Sequence, residues 1–156
     1  SRYTVISNNV FFETRSPAVT DYHVKIDDNR TDAIIFGNHF ATTARLGYIY
    51  VNPGPDTAFW GKIHDNYGYV TENSGTATFS GDGTTDDFEI GPHGLAVTDP
   101  EKIVVKVTPI SSDAIAASPC TGYVDPADNT KIRVKFASPP ASGTDNVKIA
   151  WEAQVV

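Results

Sequence analysis

Apolar and polar residues alternate along most of this chain with a period of two. Tyr22, Val24 and Ile26 fall on one face of one such run. Leu46, Tyr48 and Tyr50 share a face of another, with Ile49 and Val51 opposite. The alternation is cleanest in Lys131–Phe136, where Ile132, Val134 and Phe136 oppose Lys131, Arg133 and Lys135. Val147, Ile149 and Trp151 repeat it, with Lys148 and Glu152 outward. No window sustains a 3.6-residue period, so the pattern predicts an all-β chain. From about Val70 the expected strands are Ala77–Phe79, Asp87–Ile90, Lys102–Thr108, Gly122–Asp125, Lys131–Ala137 and Val147–Gln154. Turn residues separate them at Gly81-Asp-Gly83, Pro92-His-Gly94, Asp99-Pro100, Pro126–Asn129 and Pro139–Gly143. Short, evenly punctuated strands of this kind predict a small antiparallel β-sandwich.

The first half carries a repeat. Ile6-Ser-Asn-Asn9-Val-Phe11, Ile35-Phe-Gly-Asn38-His-Phe40 and Ile63-His-Asp-Asn66-Tyr-Gly68 each place Ile three residues before an Asn. The asparagines recur every ~28–29 residues, a period that points to stacked supersecondary units. Each unit then covers the apolar face of the next. Short strands and turns, such as Asn29-Arg-Thr-Asp32 and Asn52-Pro-Gly-Pro55, fit one rung of a parallel β-helix at roughly 3.3 Å per strand residue. Asn9, Asn38 and Asn66 are expected to form a ladder. Asn tolerates a left-handed corner, and its amide can bond the equivalent amide one rung away. Shifting Tyr48–Asn52 by one such period lands on Thr76–Ser80, which extends the expected repeat beyond its Asn motif.

Residues 5–70, with these motifs, resemble the last coils of a right-handed parallel β-helix of the pectate-lyase-like superfamily, a fold used by phage tailspikes and secreted polysaccharide-active proteins. The stretch Asn66–Thr78, then Gly91-Pro-His-Gly-Leu95, Lys102–Pro109 and the closing Val147–Ala153, resembles a small β-sandwich at the C-terminal end of phage tail and virion surface proteins. The resemblance implies terminal β-helix coils over 1–70 and a β-sandwich over 71–156 that closes their open end and serves assembly. It also implies a homotrimer on a virion surface or in an extracellular setting.

Composition narrows the partners. The chain has 156 residues, 40% hydrophobic and 20% charged, with a net charge of −7. That balance suits a folded protein and gives no basic stripe to track phosphates, so nucleic acid is not an expected partner. No apolar run approaches the ~20 residues of a membrane span, so no membrane insertion is expected. Cys120 stands alone and can form neither an intrachain disulfide nor a cysteine zinc cluster. No cofactor is expected. The chain has no Met and starts at Ser1 inside a strand-like pattern, which reads as a C-terminal piece or a cleavage product.

Three groups of residues could carry chemistry. Asp82, Asp86 and Asp87, with Glu89, offer oxygens for a calcium ion but lack EF-hand spacing; a solvated hairpin turn is the competing reading. Asp28, Asp32 and Asp65 would be the acids of a polysaccharide lyase or hydrolase, which needs carboxyls about 5–10 Å apart across a cleft. The catalytic signatures of pectate lyases and polygalacturonases are not recognisable. Tyr48, Tyr50, Trp60, Tyr67 and Tyr69 could stack on sugars, meet a partner subunit or fill the core. His23, His39, His64 and His93 share no metal-ligand spacing, and His93 reads as a turn residue that packs in the sandwich. The expected function is a non-catalytic assembly and capping region of a trimeric β-helical surface protein, with polysaccharide as a further partner. A lyase or hydrolase fragment and a carbohydrate-binding module are the alternatives.

Overall fold

The structure, a computed structural model, describes residues 4–14, 16, 18, 20–26, 33–42, 44–51 and 63–156. It is mostly β and divides into two compact units, Ser1–Thr71 with Val156 and Glu72–Val155.

The first unit is built from parallel pairs. Its strands are β1 (Thr4–Ser7), β2 (Val10–Phe11), β3 (Tyr22–Ile26), β4 (Ala33–Phe36), β5 (His39–Phe40), β6 (Gly47–Val51) and β7 (Ile63–His64). They form three separate parallel sheets, β1-β4-β7, β2-β5 and β3-β6. Register aligns Ile6 with Ile35 and Ile35 with Ile63. Ile35 and Ile63 are buried with Val24, Ala33, Phe40, Ile49 and Tyr69, and Ile6, Phe11 and Tyr48 pack against them. The motif isoleucines Ile35 and Ile63 are therefore core positions, with Ile6 packed against them.

The left-handed corner is not at the ladder asparagines. It falls one residue earlier, at Asn8 (φ 56°), Gly37 (φ 64°) and Asp65 (φ 52°). These residue types tolerate that conformation best, which frees the following Asn for hydrogen bonding. The third copy ends differently. A Cβ at Gly68 (φ 87°) would lie 2.5 Å from the Phe40 carbonyl oxygen, so no side chain can follow the Phe11–Phe40 column there. The chain turns back instead, and Asn66 bridges Tyr69.

The repeat is also less uniform than its asparagines suggest. Val10 pairs with His39 across a full Asn-to-Asn period, but Val24 pairs with Ile49 across a shorter stretch of chain. The difference lies in the connections. The segment Phe12–Asp21 that joins β2 to β3 is longer than Ala41–Leu46, which joins β5 to β6.

The second unit contains β8 (Glu72–Gly81), β9 (Asp87–Pro92), β10 (Ile103–Pro109), α1 (Ser112–Ala116), β11 (Cys120–Val124), β12 (Lys131–Phe136) and β13 (Gly143–Val155), with a 3₁₀ turn at Pro100–Lys102. Two antiparallel sheets, β10-β13-β8 and β11-β12-β9, share one core. Val147 and Ile149 of β13 join Val134 and Phe136 of β12 in it, with Phe79, Phe88 and Val107 alongside. Thr76–Ser80 lies inside β8 and pairs with β13, so the extension of the repeat into this segment is corrected. Its alternation matches that of Tyr48–Asn52 because both are strands.

Helix α1 had no helical period to announce it. Ser111 caps it, Ser111 Oγ accepting from the Ala114 N–H at 3.4 Å, while Ala114 and Ala117 fill the core. His93 is fully buried. Leu95 N–H donates to His93 Nδ1 at 2.9 Å, which leaves Nε2 to donate to the Asn129 carbonyl at 2.8 Å.

Candidate functional site

The Asn corner organises the surface of the first unit. Oδ1 of Asn38 accepts the Asn9 backbone N–H at 3.1 Å and the Asn9 side-chain amide at 3.2 Å. Oδ1 of Asn66 accepts the same pair of donors from Asn38, at 3.1 and 2.9 Å. Each inner amide also donates to a carbonyl of the preceding copy: Asn38 to Ile6 at 2.9 Å, Asn66 to Ile35 at 3.0 Å. Asn38 and Asn66 are buried and Asn9 is exposed. Among the described residues Asn9 Oδ1 accepts no hydrogen bond, so the ladder stops at Asn66 in a turn and at Asn9 with an acceptor facing outward.

Two columns flank this corner. One residue after each Asn stand Val10, His39 and Tyr67, adjacent by register. All three are exposed, Val10 at 61% and Tyr67 at 73%, and His39 meets the Tyr67 ring edge-on at 4.5 Å between centroids. Two residues before each Asn stand Ser7, Phe36 and His64, also in register. Phe36 stacks on His64 at 5.6 Å and 9°. Counting from each Asn finds both columns, and comparing the histidines only with one another misses them.

The candidate aromatics separate. Tyr69 lies in the core, and burial pushes its hydroxyl pKa up to about 12. Of the readings open to it, Tyr69 takes the core one. Tyr48 packs on the same core, with its ring 5.7 Å from Phe40 and 6.4 Å from Tyr69. Tyr50 packs beside Tyr22 at 5.1 Å, and Lys25 Nζ sits 5.8 Å from its ring centre. Tyr67 alone of the described four is strongly exposed. Trp60 lies outside the described residues.

Of the three candidate hydrolase acids, Asp65 is described. Asp28 and Asp32 lie outside the described residues. Asp65 Oδ2 meets His64 Nδ1 at 2.7 Å. Asp82 accepts from Thr85 Oγ1 and from the Thr84 and Thr85 N–H groups, which holds its carboxyl well below the usual range. Asp86 lies 3.9 Å from Lys135 Nζ, and Asp87 pairs with Arg133 Nε at 2.9 Å. Three carboxylates that could share a calcium ion are thus engaged separately, and no group of three metal-ligating side chains occurs among the described residues.

Arg133 anchors a network that the residue order does not reveal. Its guanidinium also reaches Asp125 at 3.4 Å, and Tyr123 Oη donates to Asp87 Oδ2 at 2.5 Å. The Asp87 hydrogen bond raises the Arg133 pKa further, and burial, then Asp87, raises that of Tyr123. Burial also raises the Cys120 thiol, which is the opposite of what an activated nucleophile needs. The charged outer positions of this sheet are therefore satisfied among themselves. Comparison with protein-family models, with curated proteins and with solved structures gives no match for this chain.

Proposed function

We propose that this chain is a non-catalytic assembly region of a trimeric β-helical surface protein, of virion or cell, with glycan attachment as part of its task. In this reading the first unit is the terminal coils of a right-handed parallel β-helix, and the second is a small β-sandwich. The parallel pairing of each strand with its equivalent in the next copy supports the coils, and the strong preference for right-handed crossovers supports the hand.

The observation that carries assembly is the exposed column Val10–His39–Tyr67 beside the stacked pair Phe36–His64. Contiguous apolar and aromatic surface on ordered strands marks an association face. Side chains in register are held about 4.8 Å apart, so the face is rigid before it is covered. Within a trimer each protomer would present this flank to its neighbour.

Light scattering on a size-exclusion column tests the reading. The expected mass is three times the 16.8 kDa of one chain. Tyr67→Asp with Val10→Asp is expected to lower it to one chain while the far-ultraviolet spectrum stays unchanged. A monomeric parent chain overturns the assembly reading.

A further inference from the structure

The outer face of the β10-β13-β8 sheet carries a depression of about 440 Å³, wholly within the second unit. That size falls within the roughly 300–1,000 Å³ of small-ligand sites. Its shape follows from the register. Thr108, Ala150 and Thr76 lie side by side across the three strands, and Lys106, Glu152 and Ser74 form the next row. Directly opposed residues share a face, and the alternate positions Ile149 and Ala153 are buried on the other one. Ala150 is therefore a low floor. Lys106, Glu152 and Glu72 supply the long lining side chains, and Ser74 and Thr108 the short hydroxyl ones.

The lining selects its ligand by charge. Two carboxylates, Glu72 and Glu152, face one ammonium, Lys106, so an anionic ligand meets net repulsion. Lys106 Nζ lies 3.8 Å from Glu152 Oε1, which supplies that carboxylate with a counter-ion and disfavours a cation. Asn73 also borders the depression, but its amide is already spent on the His93 carbonyl and the Ser74 N–H. Besides Ala150 and Trp151, what remains is a set of mixed donors and acceptors: an ammonium, two carboxylates and two hydroxyls. Such a set matches vicinal hydroxyl groups, each of which can both donate and accept.

We propose that this depression binds a neutral oligosaccharide, with Lys106 and Glu152 spanning adjacent hydroxyls and Ser74 and Thr108 fixing register over Ala150. The proposal rests on, and narrows, the glycan-attachment part of the function above. The test is an NMR titration of the ¹⁵N-labelled chain with maltohexaose, xylohexaose and laminarihexaose, and with trigalacturonate as the acidic probe. Saturable shifts from a neutral saccharide are expected at Ser74, Lys106, Thr108, Ala150 and Glu152. Glu152→Gln is expected to weaken binding about tenfold, the loss of one charge-assisted hydrogen bond. Ala150→Gln, which raises the floor at an outward position, is expected to abolish it with the spectrum otherwise intact. No shift with any neutral saccharide, shifts mapping elsewhere, or a preference for trigalacturonate would each overturn the site. Light scattering on the same samples separates the two readings: a monomer that binds keeps the site and removes the trimer, and a trimer that binds nothing does the reverse.

Discussion

The side-chain amide of Asn38 donates to Oδ1 of Asn66 at 2.9 Å, while the Asn38 backbone N–H reaches the same oxygen at 3.1 Å. One acceptor thus satisfies both polar groups of the residue a copy earlier. Asn38 passes the same pair of bonds back to Asn9 through its own Oδ1. The Asn amide does both with one side chain, its NH₂ donating two hydrogen bonds while Oδ1 accepts. This is the physical content of the Asn spacing.

Asn38→Ala removes donors to the Ile6 and Phe36 carbonyls and the acceptor for Asn9. The site is buried, so water cannot replace them, and the expected loss is about 2–4 kcal/mol. Asn9→Ala, at the exposed end, should cost less than about 1.5 kcal/mol. Denaturant melts of both variants check the ordering. Equal costs would mean that the inner ladder bonds add nothing to the corner.

Much of this was legible in the chain because strands and turns leave local marks. The recurring Ile-x-x-Asn motif marks segments that pair in register, Ile6 with Ile35 and Ile35 with Ile63, and the alternation of Lys131–Phe136 matches β12 residue by residue. What failed were inferences about distance. Thr76–Ser80 looks like another copy of Tyr48–Asn52, yet alternation states only that a segment is extended, and the partner of β8 is β13, far along the sequence. Gly68 breaks the Phe column for a reason that exists only in space, the Phe40 carbonyl beneath it. The Arg133–Asp87–Tyr123 network is equally silent, since its members sit on three strands. The outer-face depression depends on Ala150 being small between two threonines, which no single strand reveals.

Tyr69 predicts an alkaline transition. Burial raises its pKa from 10 to about 12, so the folded state holds the proton after the unfolded chain has released it. Stability from this group is full below pH 10 and is lost as pH rises through about 12. A shift of this size corresponds to about 2–3 kcal/mol. Melts between these pH values should fall more steeply for the parent chain than for Tyr69→Phe. Parallel curves would show that the hydroxyl ionises without opposing the fold.

Asp87 is the centre of the half-buried ion network, with side chains of Arg133 and Asp87 27% and 28% exposed. Asp87→Ala leaves Arg133 with the more distant Asp125 and removes the acceptor of Tyr123 Oη. Solvent screens part of the pair, so the expected cost is about 1–2 kcal/mol, not that of a fully buried bridge. A double-mutant cycle with Arg133→Met should return a coupling of about 1 kcal/mol that shrinks at high salt. Coupling indistinguishable from zero would reduce the network to a set of independent surface charges.

Gly122 of β11 sits directly against Val105 and Val107 of β10. A Cβ there would fall 2.7 Å from Val105 Cγ1, 2.9 Å from Val107 Cγ1 and 3.2 Å from the Val105 carbonyl oxygen. The first two contacts belong to side chains and the third to backbone, so repacking can relieve only part of the clash. Gly122→Ala should therefore destabilise by about 1–3 kcal/mol through overpacking, although alanine itself suits a strand better than glycine. Val105→Ala removes the nearest methyl group and should recover part of that loss in the double variant. The sum of the single costs would then exceed the measured cost of the pair, the sign of non-additivity that a shared steric contact requires. Strict additivity would mean that the approach of β11 to β10 is loose enough to admit a methyl group without repacking.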